Sequence, residues 1–505
     1  MGKSMDEKTF AELLELHIRE NGYTNYEAAK EAGIGRVNLQ RYLSGARVPG
    51  IEAFEAILKA LPMSRKEREE FCASYELAAD GKDLYYLRRF VREILENAAD
   101  LCGTEVMQIL GGIPESREKI QIVDGKLAVE RFVWGGFAKN MAKKGDVSAL
   151  LYFPAENFFP GRFLPTYSVN GDSVVSKLKI TQMVPLAKRA DQVENRFYNL
   201  RVLKNLIPLY FQAGSSYETR YYYQDRPDDL GAAAIYPYYA VFEDNVVLFS
   251  EDMEHAVQIR DEEFAKKYRV MFLMAAGQKN AARKLVTFFE DTAELLWYLA
   301  EHDMERCDEI ERYSVEYQPC FLLAADREII SAVVRLDGAY KNAFLEAALK
   351  RADAMQRSAR MLHYFTEEGL DAFIENGILT EYPETYLRPL TEAERVLVLD
   401  RFLEIAKQEN ITIGIIRPDH LHLKRSINVY LSSACGLNMI LYDEKQGLRN
   451  MIVEEHSIYH AFKTFILRME EKRDVLSHEE TEAVLKEKRE KLWRQMELKN
   501  NACRS

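Results

Sequence analysis

The chain has 505 residues, 47% of them hydrophobic and 29% charged, with a net charge of -12. At about 100 to 200 residues per domain that length calls for several domains, and no run approaches the roughly 18 apolar residues of a membrane span. The acidic balance excludes a protein that coats nucleic acid through many phosphate-neutralising cations, so local charge has to decide any such role.

The start, Met1 to Asp6, has no apolar segment behind a basic one, which predicts a cytoplasmic protein. Phe10, Leu14 and Ile18 recur at four-residue spacing, with Leu13 widening the stripe, and predict a first helix ended by Asn21-Gly22. A second helix begins at Asn25 and stops at Gly33, a residue that tolerates the left-handed geometry of a tight turn. Ile34 plugs the turn, and a third helix runs from about Arg36 to Ser44 before Gly45. On a helical wheel Leu39, Tyr42 and Leu43 fall on one side and Val37, Gln40, Arg41 and Ser44 on the other.

That outer stripe suits major-groove readout, because arginine can bond guanine bidentately, glutamine can bond adenine, and valine can meet a thymine methyl. Arg36 stands at the helix start, and Arg47 in the segment that follows. Between Lys30 and Gly50 the cations Lys30, Arg36, Arg41 and Arg47 face a single acid, Glu31. The acidic remainder of the chain would confine phosphate attraction to this window. A fourth helix, Ile51 to Leu61, turns Phe54, Ile57, Leu58 and Leu61 inward; a fifth, Ser64 to about Ala79, opens with Ser64 and Glu67 spaced as a capping box.

Ala29, Gly33, Ile34, Leu39, Tyr42, Gly45 and Pro49 fall where the lambda-repressor-like (XRE) helix-turn-helix family places its small, turn and core residues, and the first 75 or so residues resemble that family. The resemblance implies a domain that binds an operator in double-stranded DNA, as a homodimer, with Arg36, Val37, Gln40, Arg41 and Arg47 at base-contacting or groove-flanking positions; Ser44, on the same outer stripe, joins them as a DNA-binding candidate. The resemblance places Asn25 at the helix start that touches phosphate. Val37 departs from the polar residue more usual there. The alternative for such a head is a helical bundle with the same core that binds protein.

The fold class expected for the chain is therefore multidomain, an all-α helix-turn-helix domain over residues 1–79 followed by a larger mixed α/β region. Lys82 to Leu101 reads as a helical connector, broken at Gly103, Gly111-Gly112 and Pro114, so that residues 80–115 link head and body. In a sensor region, 116–390, strands are expected at 149–153, 178–183 and 239–242 and a helix over 261–276, before a mostly helical stretch from Ala281 to about Ala354. A C-terminal α/β lobe, 391–475, has strands at 411–416, 427–431, 437–442 and 450–453 and a helix over 457–469; a charged helical tail, 476–505, closes the chain.

Two passages share the order strand, acidic turn, strand and amphipathic helix, with apolar residues at relative positions 0, 4 and 7: Phe264, Tyr268, Met271 and Ile458, Phe462, Phe465. The order allows two related lobes facing each other across an effector cleft, and it allows chance similarity equally.

The body carries no signature of a reaction. The phosphate-cradling, dinucleotide-binding and hydrolase-elbow glycine motifs are absent. Ser116 with Lys119 and Ser176 with Lys179 have acyl-enzyme spacing without the companion motif, and His422-Leu-Lys424 begins a phospholipase-like motif that lacks its later Asp. His456 and His460 stand four apart on a helix and could form a cluster with His420 and His422 if the fold brought the two segments together, but surface histidines are the commoner explanation, so no metal is assigned. Tyr221 to Tyr223 and Tyr236 to Tyr239 could stack on a flat ligand, although sheet packing accounts for them. Six scattered cysteines without a Cys-x-x-Cys pair read as reduced thiols.

The resulting expectation is a bacterial transcriptional regulator, not an enzyme, with no cofactor, no membrane and an unidentified effector that is a small molecule, peptide or protein. A protein-interaction or toxin- and defence-associated module with an autoregulatory head is the alternative, and an enzyme tethered to a DNA-binding head is a third reading.

Overall fold

A computed structural model describes residues 8–102, 118–129, 132, 147–153, 178–189, 197–225, 235–277, 283–304, 307–425, 427–443 and 447–502. The breaks expected at Gly103 to Pro114, and Ser116 and Ser176 of the acyl-enzyme-like spacings, lie outside these residues. The chain divides into two compact units, Met1–Phe90 and Val91–Ser505.

The first unit is helical. Helices α1 (Phe10–Glu20), α2 (Asn25–Glu31), α3 (Arg36–Leu43) and α4 (Ile51–Ala60) form where their apolar spacing indicates, and α5 (Arg65–Cys102) runs on into the second unit with a break at Gly81, whose φ is 75°. Phe10, Leu13, Leu14 and Ile18 of α1 close on Leu39 and Tyr42 of α3 and on Phe54 and Ile57 of α4. Phe71 and Tyr75 of α5 complete this core: the Tyr75 ring stacks on Phe54 at 3.7 Å, and its hydroxyl donates to the Pro49 carbonyl at 3.2 Å, fixing the loop after α3. The Ser64 and Glu67 capping box is formed, the Ser64 N–H reaching the Glu67 carboxylate at 2.7 Å.

The second unit contains, among the described residues, an eight-stranded and a seven-stranded sheet. In the first, β2 (Val147–Tyr152), β3 (Leu178–Ala187) and β4 (Tyr217–Gln224) run parallel, with helix α6 (Tyr198–Ala213) crossing from β3 to β4. An antiparallel meander, β5 (Tyr238–Val241), β6 (Val246–Phe249) and β7 (His255–Ile259), pairs with β2, and β1 (Ile120–Asp124) closes its far edge. Short β8 (Arg283–Lys284) adds to β4, and α7 (Glu262–Gly277) follows the meander.

The second sheet repeats this plan. Strands β10 (Glu311–Glu316), β11 (Arg360–Thr366) and β12 (Ile411–Ile416) are parallel. The meander β13 (Ile427–Ser432), β14 (Gly436–Asp443) and β15 (Gly447–Val453) pairs antiparallel with β10, and β9 (Val286–Phe289) closes the far edge. Between these strands lie α8 (Thr292–Met304), α9 (Phe321–Ala324), α10 (Arg327–Val333), α11 (Gly338–Gln356), α12 (Glu367–Asn376) and α13 (Glu392–Ile405); α14 (His456–Met469) follows the meander as α7 does in the first sheet. The two amphipathic passages noted in the sequence therefore occupy equivalent places in two sheets of the same connectivity.

One expectation about the body needs correction. The described residues from 283 to Ala354 are mostly helical, as expected, with β9 and β10 between the helices, but a boundary at 390/391 would cut a single sheet, because Met361 of β11 pairs with Ile411 of β12. Parallel partners this far apart in sequence leave no local signature. The tail is helix α15 (His478–Ala502), which buries Leu485 and Leu492 against the second sheet's helical layer and ties Arg489 to Asp400 through paired bonds of 2.8 and 3.0 Å. Among the described residues no helix is long and apolar enough to cross a membrane.

Candidate nucleic-acid interface

Helix α3 is short, eight residues, and owes its place to one face. Leu39 is 1% exposed and Tyr42 4%, both locked into the core of the head, while Val37 on the other face is 63% exposed. Asn25, Arg36, Gln40, Arg41, Ser44 and Arg47 are exposed as well, so every residue expected to meet DNA stands on the surface of the head. The turns at either end are set by glycine: Gly33 (φ 65°) separates α2 from α3, and Gly45 (φ 70°) ends α3, where a Cβ would be strained.

Among the described residues Arg36, Arg41 and Arg47 appear in no ion pair, and α3 itself contains no acid. Their guanidinium groups are therefore exposed cations on one helix-turn segment. Exposed arginines of this kind attract phosphate and can present a bidentate fork to guanine. The Ser44 hydroxyl donates to the Arg41 carbonyl at 3.1 Å and the Arg47 N–H to the same carbonyl at 3.2 Å, so the end of α3 and the start of the next segment share one anchor.

The start of α2 differs in one respect from the sequence reading. Asn25 is its first residue, but the cap is Thr24, whose side chain accepts from the Glu27 N–H while the Glu27 carboxylate accepts from the Thr24 N–H at 2.8 Å. These bonds hold the Glu27 carboxyl below its ordinary range. A carboxylate already occupies the positive end of this helix, so a phosphate near Asn25 would meet the amide side chain rather than a free helix terminus. The Thr-x-x-Glu spacing that found the cap at Ser64 would have found this one.

The other sequence candidates fall elsewhere. His456 and His460 are exposed with rings in edge contact, His420 faces Asp474 at 3.0 Å, and no group of potential metal ligands among the described residues contains a histidine. Tyr222 bonds Tyr152, Tyr239 stacks on Tyr152, and Tyr268 packs edge-on against Tyr239; these tyrosines are part of the first sheet's packing against α7.

Comparison with known proteins places this geometry. Residues 16–67 match a family model described as helix-turn-helix, and this part of the chain is an XRE-type helix-turn-helix. No curated protein matches the chain. Among solved structures, one of TrmBL2, an archaeal chromatin protein, described as showing a novel mode of DNA binding, aligns with 55% of this chain and 100% of its own at 17% identity. The TM-score is 0.22, too low for that likeness to bear on this chain.

Proposed function

We propose that the chain is a bacterial, cytoplasmic transcriptional regulator whose head binds operator DNA by laying α3 in the major groove. The observation that carries this reading is the division of α3 into a locked face, Leu39 and Tyr42, and an exposed face, Val37, Gln40, Arg41 and Ser44, flanked by Arg36 and Arg47. In this reading Arg41 and Gln40 contact base edges, Val37 meets a thymine methyl, and Arg36, Arg47 and Asn25 hold the backbone. Two heads act together as a homodimer on half-sites about 34 Å apart.

The two-sheet body supplies the input. An effector that binds one of two body conformations more tightly shifts head spacing or affinity, which is the minimum for allosteric control. The output is occupancy of DNA, with no catalytic step.

The test is titration of the full chain onto its own upstream DNA and onto a shuffled duplex over a salt series. A regulator holds the upstream duplex at least tenfold more tightly; equal affinity for both duplexes at every salt concentration refutes operator recognition.

A further inference from the structure

The sheets and helices of the second unit stack in a definite order. In the first sheet α6 lies on one face, its Tyr210 ring edge-on to Tyr217, whose hydroxyl donates to Gln182; α7 lies on the other face, against Met183 and Tyr222. In the second sheet α14 lies on the face of Tyr313, and α12 and α13 lie on the opposite face with Phe365 and Ile413. The first sheet meets the second through α6. The Asn199 amide donates to the Ser457 hydroxyl of α14 at 2.9 Å, and Tyr210 stacks on Phe288 of β9 at 5.7 Å. The crossing helix of one sheet thus covers the helix and the edge strand that close the other.

Among the described residues nothing gives the same cover to the corresponding elements of the first sheet, α7 and β1. Aligning Phe264 and Tyr268 with Ile458 and Phe462 sets Met271 against Phe465; Met271 is 64% exposed and Phe465 1%. Ile120 and Ile122 of β1 pair with Ile259 and Val257, as Val286 and Phe288 of β9 pair with Val453 and Met451. Ile120 is 57% exposed and Val286 0%. Beside Ile259 and Val257 stand Val246 and Leu248, which pack under α7, so both isoleucines lie on α7's side of the sheet. Val270, Leu273 and Met274 of α7 are exposed as well. The alignment sets Val270 and Met274 against Thr464 and Arg468, so the uncovered helix is apolar where the covered one is polar. Exposed apolar side chains gathered on one face mark a contact surface, whereas scattered ones need no explanation.

The occupant follows from the other end of the stack. A copy that continued the stack would bring its own α12 and α13 layer, the counterpart of α6, onto α7. Within each chain that layer is already closed by α15: Leu485 and Leu492 are buried in it, Arg489 holds Asp400 of α13 at 2.8 Å, and Lys488 reaches Glu367 of α12 at 3.0 Å. Head-to-tail growth is therefore blocked, and the chain can cover the face with itself by bringing up the same face of a second copy about a twofold axis. The first half of α7 suits such a pairing. Its exposed Glu262, Glu263, Lys266 and Lys267 balance in charge, so two identical rims meet without net repulsion.

We propose that the chain self-associates through this face, α7 crossing α7 of a second copy so that Val270 and Met274 meet across the axis, with Ile120 and Ile122 at the margin. This gives the homodimer proposed above its surface and rests on that reading only for its consequence at DNA; the association needs neither DNA nor an effector.

The experiment is sedimentation velocity of the full chain without DNA across the micromolar range. The samples are wild type, a Val270→Glu, Met274→Glu variant, a Val270→Lys, Met274→Lys variant, and an equimolar mixture of the two variants. Wild type is expected as a dimer, and each variant alone dissociates at least tenfold more readily while keeping the wild-type circular dichroism. The mixture recovers the dimer, because only a face that meets itself brings the opposite charges together. Met274→Glu and Met274→Lys alone serve if a double variant fails to fold. A monomeric wild type, a variant as dimeric as wild type, or a mixture that stays monomeric overturns the proposal, the last by assigning the face to a different partner. None of these outcomes decides the DNA titration; loss of DNA recognition by an intact dimer would refute the regulator reading alone.

Discussion

Leu39 and Val37 lie two positions apart on α3 and differ in exposure, 1% against 63%. If burial decides what each does, Leu39→Ala and Val37→Ala must have opposite signatures. Truncating a fully buried leucine costs about 2–5 kcal/mol, combining lost transfer energy with the cavity left behind. Leu39 sits amid Phe10, Leu14 and Phe54 in a head too small to refill that space cheaply, and a domain of this size has only ~5–10 kcal/mol in all. Val37→Ala removes surface already in water and should change stability by less than about 0.5 kcal/mol. Native-state hydrogen exchange on the full chain reads the difference directly, since amides of α1, α3 and α4 open with the head. The Leu39 variant should lose protection by roughly 30- to 700-fold for a cost of about 2–4 kcal/mol, at tenfold per 1.4 kcal/mol. The Val37 variant should keep protection and lose operator affinity. Equal protection in both variants, or a protection loss confined to Val37→Ala, would refute the assignment of faces.

Other consequences are equally concrete. Arg41→Ala should weaken operator binding by about 1–3 kcal/mol and relax preference at one base pair, whereas Arg47→Ala should weaken all duplexes alike and lower the salt slope by about 0.9 per head, both measured by fluorescence anisotropy over a salt series. Arg88 and Asp80 form an ion pair at 3.0 Å with side chains 4% and 3% exposed, so Asp80→Asn should cost about 3 kcal/mol in the melting profile by removing one charge of a buried pair; a shift equal to that of an exposed-pair variant such as Glu69→Gln would contradict it. Arg388 grips Glu394 with bonds of 2.9 and 2.8 Å and depresses its carboxyl from 4.5 to about 2. Between those values the unfolded chain binds more protons than the folded one, so the pair's contribution is complete above pH 4.5 and is lost as pH falls toward 2. In acid-unfolding titrations Glu394→Gln should be less stable than wild type near pH 6 and converge with it near pH 2.

The head was legible because its signals are local. Helix faces repeat every three or four residues, and Gly33 and Gly45 mark turns whose φ values, 65° and 70°, glycine adopts readily. The cap of α2 is encoded locally too: Thr24 and Glu27 have the spacing of Ser64 and Glu67, but Asn25, itself a favourable capping residue, offers a competing start one position later. The body was legible strand by strand at Ile411–Ile416 and across the last meander, where apolar runs are dense. It was not legible as sheets. The parallel pairing of β10 with β11 joins residues some 49 positions apart, as Glu311 meets Arg360, and no periodicity carries that information. Glu311–Glu316 hides its strand for a further reason, since Arg312, Ser314 and Glu316 alternate as solvent-facing residues do while being buried. Polar residues at inward positions break the rule that alternation reports one wet face.

The central claim is that the exposed face of α3 reads DNA. Its most direct test is binding of the full chain to its own upstream DNA at moderate salt, with the Arg36→Ala, Gln40→Ala, Arg41→Ala triple variant measured beside wild type. Sequence-specific binding by wild type that disappears in the folded triple variant is the result expected from an exposed reading face. Specific binding of equal strength in the variant, or none in either protein, would contradict it.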